Sequence, residues 1–170
     1  MNALALDALE LQPRERLLEV GFGGGALLRQ AAARGAEPWG VDASEAMVRR
    51  ARGLNARLAS AEALPFEDGA FDKAVSVNSL YFWPDAPRAF AELGRVLKPG
   101  GRLALCFEPP EELRKWPAHR YGFRLFEVAE VRRLMEQAGF GAIEERWGEG
   151  RKPDRFCCLS GTRRADKGGA

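Results

Sequence analysis

Short apolar runs of about four to eight residues alternate several times with stretches of helical periodicity, and that alternation leaves little room for any fold except a sheet with helices packed on its faces. Parallel strands follow from it. The first strand is predicted over Arg16 to Gly21, where Leu17, Leu18 and Val20 make the near-continuous apolar run of a strand buried on both sides. A helix is predicted from Gly25 to Gly35, a second strand over Pro38 to Asp42, and a helix after Ser44, whose hydroxyl suits an N-cap. Ala56 to Ser60 and Asp72 to Asn78 are predicted as the third and fourth strands, and Ala86 to Leu97 as a helix with Phe90, Leu93, Val96 and Leu97 turned inward. Lys98-Pro99-Gly100-Gly101 should reverse the chain sharply into a fifth strand, Arg102 to Phe107. After an irregular segment, Glu108 to Phe126, a helix over Glu127 to Ala138 precedes two strands, Ala142 to Trp147 and Arg155 to Ser160, laid out as a hairpin that closes the sheet with an antiparallel edge.

With 170 residues the chain has the size of one domain, expected to span residues 1–162, with a polar, glycine-ended tail from Arg163 to Ala170 expected to be disordered. Its 26 basic and 24 acidic side chains leave a net charge of +2, too little to point to nucleic acid or an anionic membrane. The longest uncharged stretch, Ala74 to Pro84, is far below the roughly 20 apolar residues of a membrane span. The first residues lack the basic start and long apolar run of a secretion signal, so a cytoplasmic location is expected. Cys106, Cys157 and Cys158 lack CxxC spacing, and the adjacent pair would point to opposite faces of a strand; all three are expected to be reduced and structural.

Chemistry concentrates where the first strand turns into a helix, at Glu19-Val20-Gly21-Phe22-Gly23-Gly24-Gly25. Residues without a Cβ let the backbone turn tightly and approach a ligand, while the free amides of a helix start face it. Gly21, Gly23 and Ala26 also fit the dinucleotide pattern G-x-G-x-x-A. Asp42 ends the second strand about 20 residues further on, where a carboxylate can accept from both hydroxyls of a ribose, so an adenosine-containing ligand is expected. The plainer role for Asp42 is a polar residue at a helix start. Glu19 sits in a strand buried on both sides, where an unpaired carboxylate is costly and requires a ligand or a structural partner.

The chain resembles the class I S-adenosylmethionine-dependent methyltransferases, most closely the small-molecule branch that includes the ubiquinone and menaquinone biosynthesis enzymes. The resemblance runs from Arg14 to about Arg163 and rests on Leu18-Glu19-Val20-Gly21-Phe22-Gly23-Gly24-Gly25, Gly40-Val41-Asp42-Ala43-Ser44, Ala61-Glu62-Ala63-Leu64-Pro65-Phe66, Phe71-Asp72-Lys73-Ala74-Val75-Ser76, Leu97-Lys98-Pro99-Gly100-Gly101-Arg102-Leu103 and Ala138-Gly139-Phe140, in that order. It implies an α/β fold, a single Rossmann-like doubly wound sheet, mostly parallel with an antiparallel C-terminal hairpin strand. It also implies S-adenosylmethionine as cofactor, S-adenosylhomocysteine as product, and methyl transfer by in-line displacement at the sulfonium with no metal required. Gly21, Gly23 and Gly25 would pass under the methionine part, with Glu19 oriented to its ammonium. Asp42 would hold the ribose, Ala43 would lie near adenine, Ser60 and Ala61 would also contact the cofactor, and Asn78 would approach the methionine moiety. Where the family usually carries an aspartate that accepts from the adenine amino group, this chain has Ser60.

His119, the only histidine, is a candidate base in the loop beyond the fifth strand, the end at which such sheets bind ligands, and Tyr81 is a second catalytic candidate. Tyr81, Phe82, Trp83, Trp116, Tyr121 and Phe123 are expected to line an apolar, aromatic pocket for a small-molecule acceptor, or in part to pack the core. Glu62 reads as a surface charge. Asn78-Ser79-Leu80-Tyr81 lacks the adjacent prolines of the Asn-Pro-Pro-Tyr motif of nucleic-acid amino-methyltransferases. About fifteen residues precede the first strand, fewer than the helical lid of relatives, so the pocket is expected to be open or completed by a second subunit of a homodimer. Two other functions share these motifs: a nicotinamide-dependent oxidoreductase, and a non-catalytic S-adenosylmethionine-binding partner subunit.

Overall fold

The computed structural model describes residues 1–115, 122, 124–150 and 154–165. Its strands are β1 (Arg16–Val20), β2 (Glu37–Asp42), β3 (Asn55–Leu58), β4 (Phe71–Val77), β5 (Leu97–Phe107), β6 (Phe140–Glu149) and β7 (Arg155–Arg163). Its helices are α1 (Asn2–Ala8), α2 (Ala26–Ala33), α3 (Glu45–Arg50), α4 (Ala86–Val96), α5 (Pro110–Leu113) and α6 (Val128–Gln137), and Leu80–Phe82 forms a 3-10 turn. The strands make one sheet in the order β3-β2-β1-β4-β5-β7-β6, parallel from β3 to β5, with β7 antiparallel to both β5 and β6. The expected fold class is therefore the observed one, with the hairpin's second strand placed inside the sheet and its first at the edge.

Strand alternation assigns side chains to the two faces. Leu18, Ala74, Leu103, Leu105, Cys157 and Leu159 pack toward α4 and α6, which contribute Phe90, Leu93, Val131 and Met135. Leu17, Val75, Ala104, Cys106 and Cys158 pack on the other side, against Leu6 and Leu9 from the region of α1 and Leu27 and Ala31 of α2. Cys157 and Cys158 thus lie on opposite faces as expected, and all three cysteines are free thiols. The chain winds from β1 outward through β2 to β3, then returns to place β4 on the other flank of β1. That reversal opens a crevice beyond the carboxyl ends of β1 and β4.

Two expectations need correction, and one helix has no counterpart among the predicted elements. The tetrad Lys98–Gly101 does not break the strand: β5 already begins at Leu97 opposite Phe71, loops outward, and resumes with Arg102 opposite Lys73. The bulge is held by the left-handed backbone of Gly100 and by an ion pair from Lys98 Nζ to Asp72 at 2.6 Å. The segment before β1 contains α1, whose spacing is short but whose Ala5, Leu6 and Ala8 are buried on the sheet. The last strand continues to Arg163, whose guanidinium donates to the Leu97 carbonyl; residues 166–170 of the expected tail lie outside the described residues. No helix among the described residues is long and apolar enough to cross a membrane.

Candidate active site

The crevice at the strand reversal encloses about 880 Å³ and is lined by backbone and side chains from the ends of β1, β2 and β4 and the turns that follow them. Its floor is the glycine turn. Gly21 N donates to the Val41 carbonyl at 2.8 Å and Gly25 N to the Phe22 carbonyl at 2.8 Å, folding the turn back over the end of β2. Gly21 takes a φ of +76°, and a Cβ built there would overlap the Ser79 side chain, so only glycine lets the β1 and β4 ends come this close. Helix α2 then starts with no side-chain cap.

Two carboxylates lie in this floor. Asp42 Oδ2 accepts from Gly23 N at 2.9 Å and Oδ1 from Ser44 N at 2.8 Å, so the side chain that ends β2 fixes both the glycine turn and the entry to α3. A carboxylate offers about four acceptor positions, so each oxygen keeps one for a ligand hydroxyl. Asp42 is at once the helix-start residue and the expected ribose anchor. Glu19 is 4% exposed; it accepts from the Leu28 backbone amide in the first turn of α2, while its Oε2 is buried in the crevice wall with no partner among the described residues. Burial, aided by the nearby Asp42 charge and opposed by the Leu28 bond, pushes its pKa from the ordinary 4.5 to about 8. An orphaned buried acceptor of this kind is costly unless a cationic or hydrogen-bonding ligand meets it.

The opposite wall is made of side chains. Asn78 follows β4 with a φ of +54°, and the 3-10 turn behind it presents Phe82, 57% exposed, and the buried Trp83, whose indole N–H donates to Ser79 Oγ at 3.3 Å. The roof segment, Ala59 to Glu62, is steadied by α4. Arg95 donates to the carbonyls of Leu64 and Phe66, and Glu92 accepts from Leu64 N at 2.8 Å. The Arg95 hydrogen bond in turn holds the Glu92 carboxyl below its usual range.

Of the residues singled out in the sequence, Glu19, Gly21, Gly23, Asp42, Ala43, Ser60, Ala61 and Asn78 line one crevice, together with Phe82 and Trp83. Gly25 does not line it; it is the left-handed N-cap of α2, packed so that a Cβ would stand 2.7 Å from Leu54 Cδ1. Tyr81 does not line it either, being buried behind Asn78. His119, Trp116, Tyr121 and Phe123 lie outside the described residues. Glu62, read from sequence as a surface charge, reaches the crevice and accepts from Asp85 N at 3.3 Å. Asn2, Met47 and Ser79 also line it; none carries a motif that would have marked it.

Residues 18–105, just over half of the chain, match the methyltransferase domain family. The chain belongs to that family. Every crevice residue but Asn2 falls inside the matched span. The residues present fit S-adenosylmethionine, the cofactor that the family resemblance implies: the orphaned Glu19 oxygen suits the ammonium group and the remaining Asp42 acceptor positions suit the ribose hydroxyls. The chain is 42% identical over 113 residues to the demethylmenaquinone methyltransferase of Thermus thermophilus, covering 61% of this chain and 51% of that protein. It is 32% identical over 119 residues to the uncharacterized methyltransferase YdaC of Bacillus subtilis, covering 65% and 66%. A solved S-adenosylmethionine-dependent methyltransferase from Thermotoga maritima superimposes with a TM-score of 0.77 at 27% identity, over 96% of this chain and 89% of that one. The matched stretch spans about half the length of most of the curated relatives, 51% of the Thermus protein and 44% of a nocamycin O-methyltransferase from Saccharothrix syringae.

Proposed function

We propose that this chain catalyses methyl transfer from S-adenosylmethionine to a small, partly apolar or aromatic acceptor. The observation that carries the reading is the pair of carboxylates in one crevice, one with a buried oxygen lacking a partner and one with acceptor positions to spare. The cofactor, when bound, supplies a methyl group already activated on a sulfonium. The protein's part is therefore to bind, orient and exclude water. Asp42 holds the ribose end in register with the glycine turn, because the same carboxylate fixes Gly23. Glu19, with its unpartnered Oε2, would take the ammonium at the other end, so the two carboxylates would orient the cofactor when it is bound. Phe82, Trp83 and Pro84 supply apolar wall on the side open to an acceptor, which supports an apolar or aromatic substrate in that position.

The alternative reading as a nicotinamide-dependent oxidoreductase meets an obstacle in the same place. A pyrophosphate would need the first-turn amides of α2, and the Leu28 amide is already engaged by Glu19. Calorimetric titration with S-adenosylhomocysteine and, separately, with NADH tests the choice. Saturable binding of the first and none of the second is expected; binding of NADH alone would overturn the proposal. Methyl transfer is then read with labelled S-adenosylmethionine against phenolic, quinol and amine acceptors.

A further inference from the structure

Behind the crevice wall lies a hydrogen-bonded chain that the cofactor-binding motifs do not include. Glu108, directly after β5, donates its backbone N–H to the Tyr81 hydroxyl at 2.5 Å. Of the acceptors among the described residues, the hydroxyl proton has Asn78 Oδ1 at 3.1 Å as the nearer and the Glu108 carbonyl at 3.4 Å as the farther. An amide held by its oxygen presents its nitrogen on the other side. Asn78 Nδ2 accordingly points away from Tyr81, and it stands 3.0 Å from Met1 Sδ, a weak acceptor. Asn78 is a crevice residue; Tyr81 is 4% exposed and is not.

We propose that Tyr81 is a positioning residue which, through its hydroxyl, orients the Asn78 side-chain amide so that Nδ2 is a fixed donor to the carboxylate at the amino-acid end of the cofactor. The inference rests on the S-adenosylmethionine reading of the crevice and adds a second contact at that end, complementary to Glu19: Glu19 is an acceptor matched to the ammonium, and Asn78 Nδ2 a donor matched to the carboxylate. Two further features support the geometry. Asn78 N donates to the Cys106 carbonyl at 2.9 Å, and the left-handed backbone at Asn78, a conformation asparagine tolerates better than most residues, sets the side chain off from the pleat of β4. Burial holds the Tyr81 phenol above its usual range, so the hydroxyl keeps its proton throughout the physiological span.

The test uses two ligands that differ only where the proposal acts. S-adenosylhomocysteine carries the amino-acid end; 5′-methylthioadenosine keeps the adenosine and the sulfur and lacks it. Tyr81→Phe keeps the buried ring and removes the hydroxyl. It should weaken S-adenosylhomocysteine by about three- to tenfold in calorimetry, leave 5′-methylthioadenosine within about twofold, and cause no added loss in an Asn78→Ala background. Equal weakening of both ligands would make Tyr81 merely structural, and an unchanged S-adenosylhomocysteine affinity or additive effects of the two substitutions would overturn the relay. Wild-type protein that bound neither ligand would instead remove the cofactor reading itself.

Discussion

The two walls of the crevice are built from different materials. The β1 and β2 side consists of backbone amides, a turn that only glycine permits and two carboxylates; the β4 side presents the side chains of Asn78, Phe82 and Trp83. The first wall is over-determined. Asp42 holds Gly23 and Ser44, Glu19 holds the first turn of α2, and Gly21 allows Ser79 to close in, so each group that would bind ligand also fixes fold. The second wall is mixed: Phe82, 57% exposed, can change at little cost to the sheet, whereas Trp83 is buried against Phe90 and Asn78 is tied to Tyr81.

The sharpest way to break this contrast is at Gly21. Gly21→Ala would force a Cβ into the Ser79 side chain at a φ of +76°, and should cost roughly 2–4 kcal/mol in thermal or denaturant unfolding together with loss of measurable S-adenosylhomocysteine binding. Gly23→Ala is its control. No atom of the described residues lies within 4 Å of a Cβ there, so only the left-handed backbone, φ +51°, is strained, at roughly 1–2 kcal/mol. Similar losses at both positions would mean that the close approach of β1 to β4 is not what glycine supplies.

Asp42→Ala ranks next. Two charge-assisted hydrogen bonds to ribose would be lost, weakening S-adenosylhomocysteine by about a hundredfold, and the Gly23 and Ser44 amides would lose their acceptor, lowering stability as well. Ligand affinity and unfolding should therefore fall together here, which Phe82 on the other wall should not show. A variant with unchanged affinity would place the ribose elsewhere.

Glu19 gives the comparison a pH signature. In the free protein its pKa is raised from 4.5 to about 8, so below pH 8 it is mostly protonated and must ionise to meet an ammonium group. Binding then releases a proton, and affinity should rise by about tenfold between pH 7 and 9 before levelling. Titrations in two buffers of different ionisation enthalpy would show the release, and a flat profile would remove Glu19 from the ammonium contact. The sign for folding is opposite. The folded state holds a proton that the unfolded state has lost above its ordinary pKa, so the unliganded protein should lose stability as pH climbs from about 5 through 8.

What was legible in the sequence follows the same division. Buried parallel strands announce themselves as continuous apolar runs, and the glycine turn and the carboxylate ending β2 sit at a spacing that backbone geometry imposes, so β1, β2, β4, Glu19, Gly21 and Asp42 could be placed before any coordinates. Helix α1 could not, because seven residues give fewer than two turns of periodicity and its burial comes from β4, β5 and β7, far away in sequence. The Lys98–Gly101 bulge is hidden in the sequence for a related reason: proline and glycine mark a departure from regular pairing, but whether the strand resumes is decided by Phe71 and Lys73 across the ladder. The Tyr81 relay and the Glu92–Arg95 clamp depend on side-chain contacts between separate segments, and local residue types do not encode those.

The smallest effect sharpens the contrast within one short turn. Leu80 and Phe82 are two residues apart, yet Leu80 is 2% exposed in the core and Phe82 is 57% exposed at the crevice. Leu80→Ala should cost roughly 2–5 kcal/mol, since it leaves a cavity in packed surroundings. Phe82→Ala should change unfolding by less than about 0.5 kcal/mol and S-adenosylhomocysteine affinity by less than about twofold, because it lies on the wall assigned to the acceptor. Thermal melts and calorimetry on the two variants check both numbers. A large loss of S-adenosylhomocysteine binding in Phe82→Ala would move that ring to the cofactor side and leave Trp83 and Pro84 as the apolar wall.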